Sequence, residues 1–212
     1  LVDSDGCFPN DPVRIGLRYF LSRTAQEELA REIAAQFDRF VATGLPLSHV
    51  DSHLHMHVHP TVFTLLLPLA ERYGAQGLRL PRDDFWLALG YNRRRAVTKA
   101  AWAIGFGLLC RRCLARLPAH AVGGRNHRLT VTHRVYGLMQ TGQMHEAYVV
   151  ELLRRLKVPT AELYFHPDTV PGDEPLGPNP GDLAALLSPE VRQIIQERGL
   201  RLAAYPTLGK ER

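Results

Sequence analysis

The chain has 212 residues, 45% of them hydrophobic and 22% charged, which is enough apolar material for an ordinary globular core and excludes a fibrous or low-complexity chain. A formal net charge of +5 suits an anionic partner, whether nucleic acid, an anionic membrane surface or an acidic ligand, without choosing among them. The three cysteines, Cys7, Cys110 and Cys113, are too few for a disulfide-built secreted domain, and the C-R-R-C pair has no second pair to complete a zinc knuckle, so ordinary reduced thiols are expected.

In chain order, residues 1–12 are rich in Asp, Gly, Pro and Asn and read as loop. From Ser22 to Gly44 the apolar positions Leu29, Ile33, Phe37 and Val41 fall near helical spacing, with Ser22 or Thr24 as the cap and Gly44 as the end. "LSHVDSH" (47–53) reads as a short strand and "PTVFTLLLPLAERYG" (60–74) as a helix with Pro60 in its first turn. "GLRLPR" (77–82) is the next strand, so strand, helix, strand recurs.

Residues 91–118 read as one long helical insertion with arginine clusters at both ends. Its apolar stretch from Ala100 to Cys110 is too short to span a bilayer, which takes about 20 residues. It suits either a membrane interface or a buried helix with solvated ends. Then come a strand (127–138), a helix (144–157), a strand "TAELYFHPDT" (160–169), a Pro/Gly-rich loop (171–182), a helix (188–199) capped by Ser188 with Pro189 at its first position, and a closing strand "LRLAAYPT" (200–207). This alternation predicts a single, mainly parallel α/β domain over 1–212, part of a barrel.

"HVDSHLHMHVHP" (49–60) holds five histidines and one aspartate, all at odd positions. While the chain stays extended, Asp51 and His53 face the same side. Imidazole is a common ligand for zinc and other divalent metals, and an aspartate two residues away can ligate or orient it. A catalytic site takes about three protein ligands, so not every histidine here can serve. The competing reading is a loop of hydrogen-bonded histidines. His166 ends the strand "ELYF" and is a second candidate, a proton carrier beside a metal-assisted hydrolysis. Nucleic acid is not an expected partner, because the arginines are not interleaved with aromatics and no binding motif appears.

The run "HVDSHLHMHVHP", together with "YFHPD" and "RLAAY", resembles the signature of YdjC-type carbohydrate deacetylases, and "GLRLPRDD" and "VYGLMQTGQM" are similar to the branch associated with hopanoid biosynthesis. The resemblance implies an irregular (β/α) barrel, a divalent metal (magnesium or zinc), and hydrolysis of the N-acetyl group of an amino sugar, in that branch an N-acetylglucosaminyl group on a hopanoid lipid. It implies His53 as metal ligand, His166 as the catalytic proton donor or oxyanion stabiliser, and Asp51, His55, His57 and Arg82 on the substrate side. A cytoplasmic enzyme is expected, with a sugar or glycolipid as partner and a homodimer left open; the basic, apolar pattern of residues 93–117, not the family, adds peripheral contact with the inner membrane to that expectation.

The family's opening strands, with an Asp-Asp motif and a Gly-x-His motif, have no counterpart here. The chain opens on Leu1, without a basic-then-apolar leader, so the expectation is an N-terminally truncated barrel, inactive and poorly stable by itself. The alternative function is a truncated barrel that only binds a sugar or lipid.

Overall fold

The computed structural model describes residues 1–2, 5–9, 11–118, 121–123, 129–170 and 179–208. It is a mixed α/β structure, mostly helical with a small parallel sheet, and the chain divides into two compact units.

The first unit comprises residues 1–80, 108–131 and 205–212. Helix α1 (Pro12–Leu21) starts where the Asp11 carboxylate accepts the backbone N–H groups of Val13 and Arg14, with Pro12 at its first position. Sequence periodicity missed α1 because Val13, Leu17 and Leu21 point outward, while Gly16 and Tyr19 are the buried residues. Helix α2 (Arg23–Val41) is capped by the Ser22 hydroxyl, which accepts from Ala25 N–H at 3.2 Å, and it buries Leu29, Ile33 and Phe37 as its spacing predicts. Helix α3 (Pro60–Arg72) packs on α2 and buries Val62, Phe63, Leu66, Leu67 and Ala70. The expected strands at 47–53 and 77–82 shrink to isolated parallel bridges, Val50 with Leu78 and Gly77 with Thr130. The Tyr205 ring lies so close to Gly77 that a Cβ there would meet it at 2.1 Å, and its other contacts include stacking on His49 at 5.0 Å.

The second unit comprises residues 81–107 and 132–204. Strands β1 (Arg134–Tyr136) and β2 (Ala161–Leu163) pair in parallel, Val135 opposite Glu162. Helix α6 (Glu146–Arg155) buries Tyr148, Val149, Leu152 and Leu153 against helix α8 (Pro189–Glu197), which Ser188 caps as its sequence predicts. Helix α7 (Pro180–Leu187), unexpected from sequence, starts at Asn179, whose side chain accepts from Asp182 N–H at 3.1 Å.

Two expectations are corrected. The helix expected over 91–118 forms only over Ala96–Leu114, as α5; a separate short helix, α4 (Phe85–Tyr91), precedes it, and the arginines at 93–95 lie in the break between them. Asn92 ends α4 in an extended conformation, and Arg95 takes a φ of 55°, which no continuous helix allows. The closing strand at 200–207 does not form among the described residues: residues 201–204 are exposed and carry no regular secondary structure, and Tyr205–Thr207 forms a 3-10 turn. Residues 171–178 of the expected Pro/Gly loop lie outside the described residues.

Candidate functional site

The histidine run does not continue as a strand. After Ser52 the chain winds into a 3-10 segment, His53–Val58, in which Leu54 and His55 adopt left-handed φ values of 51° and 56°. The shared odd parity therefore stops ordering the side chains at His53, and the extended face expected for Asp51 and His53 ends there. Left-handed backbone costs a residue with a Cβ roughly 1–2 kcal/mol, so two in succession need support from around them.

His57 supplies that support. It is fully buried; its Nδ1 lies 2.9 Å from the Ser52 hydroxyl and its Nε2 lies 2.6 Å from the Arg79 carbonyl. The carbonyl can only accept, so Nε2 carries the proton and Nδ1 accepts from Ser52. The same hydroxyl oxygen accepts the His57 backbone N–H at 2.8 Å, closing the turn on itself. His57 is thus a clamp that supports the run from beneath, and it cannot offer a ring nitrogen to a ligand while both bonds stand.

The other members divide by exposure. His55 is buried, edge-on to His57 with ring centroids 6.0 Å apart. His53 is exposed at the mouth of the turn. Asp51 forms an ion pair with Arg79, whose carbonyl holds His57, so one residue anchors both ends of the segment. His59 leaves the run altogether: its ring sits against Gly16 and edge-on to Phe20 at 4.9 Å, and burial lowers its pKa despite a hydrogen bond to the Gly16 backbone.

Arg82 and His166 belong to the second unit. The Arg82 carbonyl accepts Val135 N–H at 3.4 Å, and its guanidinium adds to burial in lowering the pKa of His133. His166 follows β2 after Tyr164 and Phe165 and is partly exposed; its ring is edge-on to Tyr164 at 5.6 Å. Its backbone N–H donates to the Asp182 carboxylate at 2.9 Å, and its carbonyl accepts Asn179 N–H at 3.0 Å.

Sequence reading missed three polar anchors of this unit. Asp182, fully buried, accepts Met144 N–H at 2.9 Å as well as that of His166. Asp83 accepts the backbone N–H groups of Gly137, Met139 and Asp84, yet desolvation prevails and pushes its pKa up to about 6. Lys99, buried, donates to the Asn92 carbonyl at 2.8 Å and satisfies the end of α4; desolvation lowers its pKa and Asp83 opposes that. A usable signal was present for Asp182 alone: N-P-G-D spaces an Asn cap from an acidic third residue at a helix start.

A divalent metal finds no ready-made cage among the described residues. Among the described residues no group of three or more His, Cys, Asp or Glu side chains could hold one, and His57 is committed to the protein. The described donors do not fit a metal centre by themselves. Cys110 and Cys113 are buried, neither is in a disulfide, and burial pushes the Cys113 thiol up to about 12, far from a reactive thiolate.

The chain is similar to proteins named carbohydrate deacetylase from Brevibacillus brevis, 28% identical over 99% of this chain and 70% of that protein, and from Mus musculus, 28% identical over 94% of this chain and 68% of that protein. A shorter match, 39% identical over 79 residues and 31% of each chain, is to the chitooligosaccharide deacetylase of Yersinia enterocolitica. No solved structure matches the chain. Residues 1–197 match the family described as YdjC-like protein, and the chain belongs to that family.

Proposed function

We propose that this protein is a carbohydrate N-deacetylase, an amide hydrolase that cleaves the acetyl group from an N-acetylated amino sugar and releases acetate and a free amine. Family membership and the names of the relatives support the class of reaction. The structural observation that carries it is the strained histidine turn: two left-handed residues with side chains, held by a buried clamp, present the exposed His53. Strain of this kind gathers at functional sites, where surrounding contacts over-determine it.

The roles are assigned residue by residue. His53 faces the ligand, with Asp51 and Arg79 fixing the approach to the turn. His166, whose backbone is pinned by Asp182, gives a proton to the departing amine nitrogen. Arg82 is a substrate-side cation. The finer substrate is an N-acetylglucosaminyl group on a hopanoid lipid, and the irregular (β/α) barrel is part of the same reading, supported by the parallel pairing within each unit. A magnesium or zinc ion belongs to it only if His53 is joined by ligands beyond the described residues. That absence of a ligand set among the described residues favours a second reading, a protein that binds a sugar or lipid without turning it over.

Acetate release separates the two. The deacetylase reading expects acetate from chitooligosaccharides or an N-acetylglucosaminyl glycolipid, lowered about 10²- to 10⁴-fold by His166→Ala. Saturable sugar binding without acetate would leave the binding-only reading standing.

A further inference from the structure

Helix α5 has two unlike faces. Trp102, Ala103 and Phe106 turn inward and pack against Ala88, Leu138 and Met139. Val97, Ala101, Ile104 and Leu108 follow each other at helical spacing on the opposite side. Val97 is 85%, Ile104 66% and Leu108 57% exposed, so this apolar stripe is uncovered. Both ends of the stripe are basic: Arg93, Arg94 and Arg95 precede the helix, and Arg111 and Arg112 stand in its last turn, all exposed.

The surrounding sequence has one sign of charge. From Phe85 to His145 there is no Asp or Glu, while nine arginines and Lys99 fall within that stretch, although the whole chain is only +5. No described helix is long and apolar enough to cross a membrane. An apolar stripe bracketed by arginines, too short to span and without acidic neighbours in sequence, matches a helix lying in the plane of an anionic interface. A second protein surface would have to place acidic groups at both ends of the stripe, and no Asp or Glu within 85–145 of another copy could supply them.

We propose that the outward face of α5 is a docking surface for an anionic lipid bilayer, with Val97, Ala101, Ile104 and Leu108 entering the headgroup boundary and the two arginine clusters contacting lipid phosphates. The surface is independent of the deacetylase reading.

Flotation of the 212-residue chain with vesicles of phosphatidylcholine, with and without phosphatidylglycerol, tests it. Wild type floats with the anionic vesicles and not with phosphatidylcholine alone. At roughly fivefold per arginine, Arg93→Glu, Arg94→Glu and Arg95→Glu together lower the partition coefficient on the order of a hundredfold. Ile104→Ser with Leu108→Ser lowers it by about tenfold while the charge is unchanged. Circular dichroism of both variants matches wild type, since every altered residue is exposed. No flotation of wild type, or equal flotation of wild type and both variants, overturns the proposal. So does a dimer dissolved by the Ile104/Leu108 pair without vesicle binding, which assigns the face to a second copy, and so does salt-sensitive DNA retention without vesicle binding.

Discussion

Within the first unit three imidazoles share the six-residue turn His53–Val58, and the most deeply buried, His57, gives both ring nitrogens to the protein. In the second unit a single imidazole, His166, follows a three-residue strand, and a buried carboxylate takes its backbone N–H instead of its ring. The dense cluster is largely scaffold, and the sparse one leaves its side chain for other work. Counting titratable residues therefore overstates what a segment can do; hydrogen bonds already made decide what remains.

The comparison can be broken most forcefully at Asp182. Its replacement by alanine strands the N–H groups of Met144 and His166 in the interior and is expected to cost about 4 kcal/mol, read from urea unfolding. A loss below about 1 kcal/mol would mean that the carboxylate does not hold His166. Next is His57→Ala, which removes two bonds and leaves a void under the left-handed residues, at about 3 kcal/mol. If His57 were mainly a ligand-facing group, its loss would spare stability.

Asp83 sharpens the contrast through pH. Its folded-state pKa of about 6 lies above the ordinary value of 3.8, so the protonated form is favoured by folding. The contribution is fully present below pH 3.8 and is lost as pH rises through about 6, on the order of 3 kcal/mol. Asp83→Asn should flatten that decline in unfolding free energy between pH 4 and 7; an unchanged slope would assign it to another group. The smallest effect is expected at Asp51, whose pair with Arg79 is partly exposed: Asp51→Asn should cost about 0.5 kcal/mol, and a loss several times larger would make the pair part of the clamp.

Much of the helical framework was legible because its signals are local. Ser22 and Ser188 cap where their sequences place them, and Pro60 opens α3. Helix α1 carried a clear start in Asp11-Pro12, but its apolar residues face outward, so core periodicity gave no support. The long 91–118 segment holds no acidic residue and little polar punctuation, so periodicity could not locate the start of α5, which the extended Asn92 and the left-handed Arg95 set. The closing segment 200–207 has strand-like residues, but ladder pairing is set by the fold, and here Tyr205–Thr207 turns as a 3-10 segment instead. At the site, the histidine run was conspicuous, yet the bend at Leu54 and His55 undoes the alternation on which its reading rested. Asp83 and Asp182 act through backbone groups tens of residues away, a relation that only the fold brings about.

The division of labour inside the turn is tested most directly by comparing His53→Ala with His57→Ala, measuring acetate released from an N-acetylated chitooligosaccharide alongside the unfolding midpoint of each. His53→Ala should keep the wild-type midpoint and lose acetate release, whereas His57→Ala should lower the midpoint. Undiminished turnover by His53→Ala at wild-type stability would contradict the assignment of this turn to deacetylation.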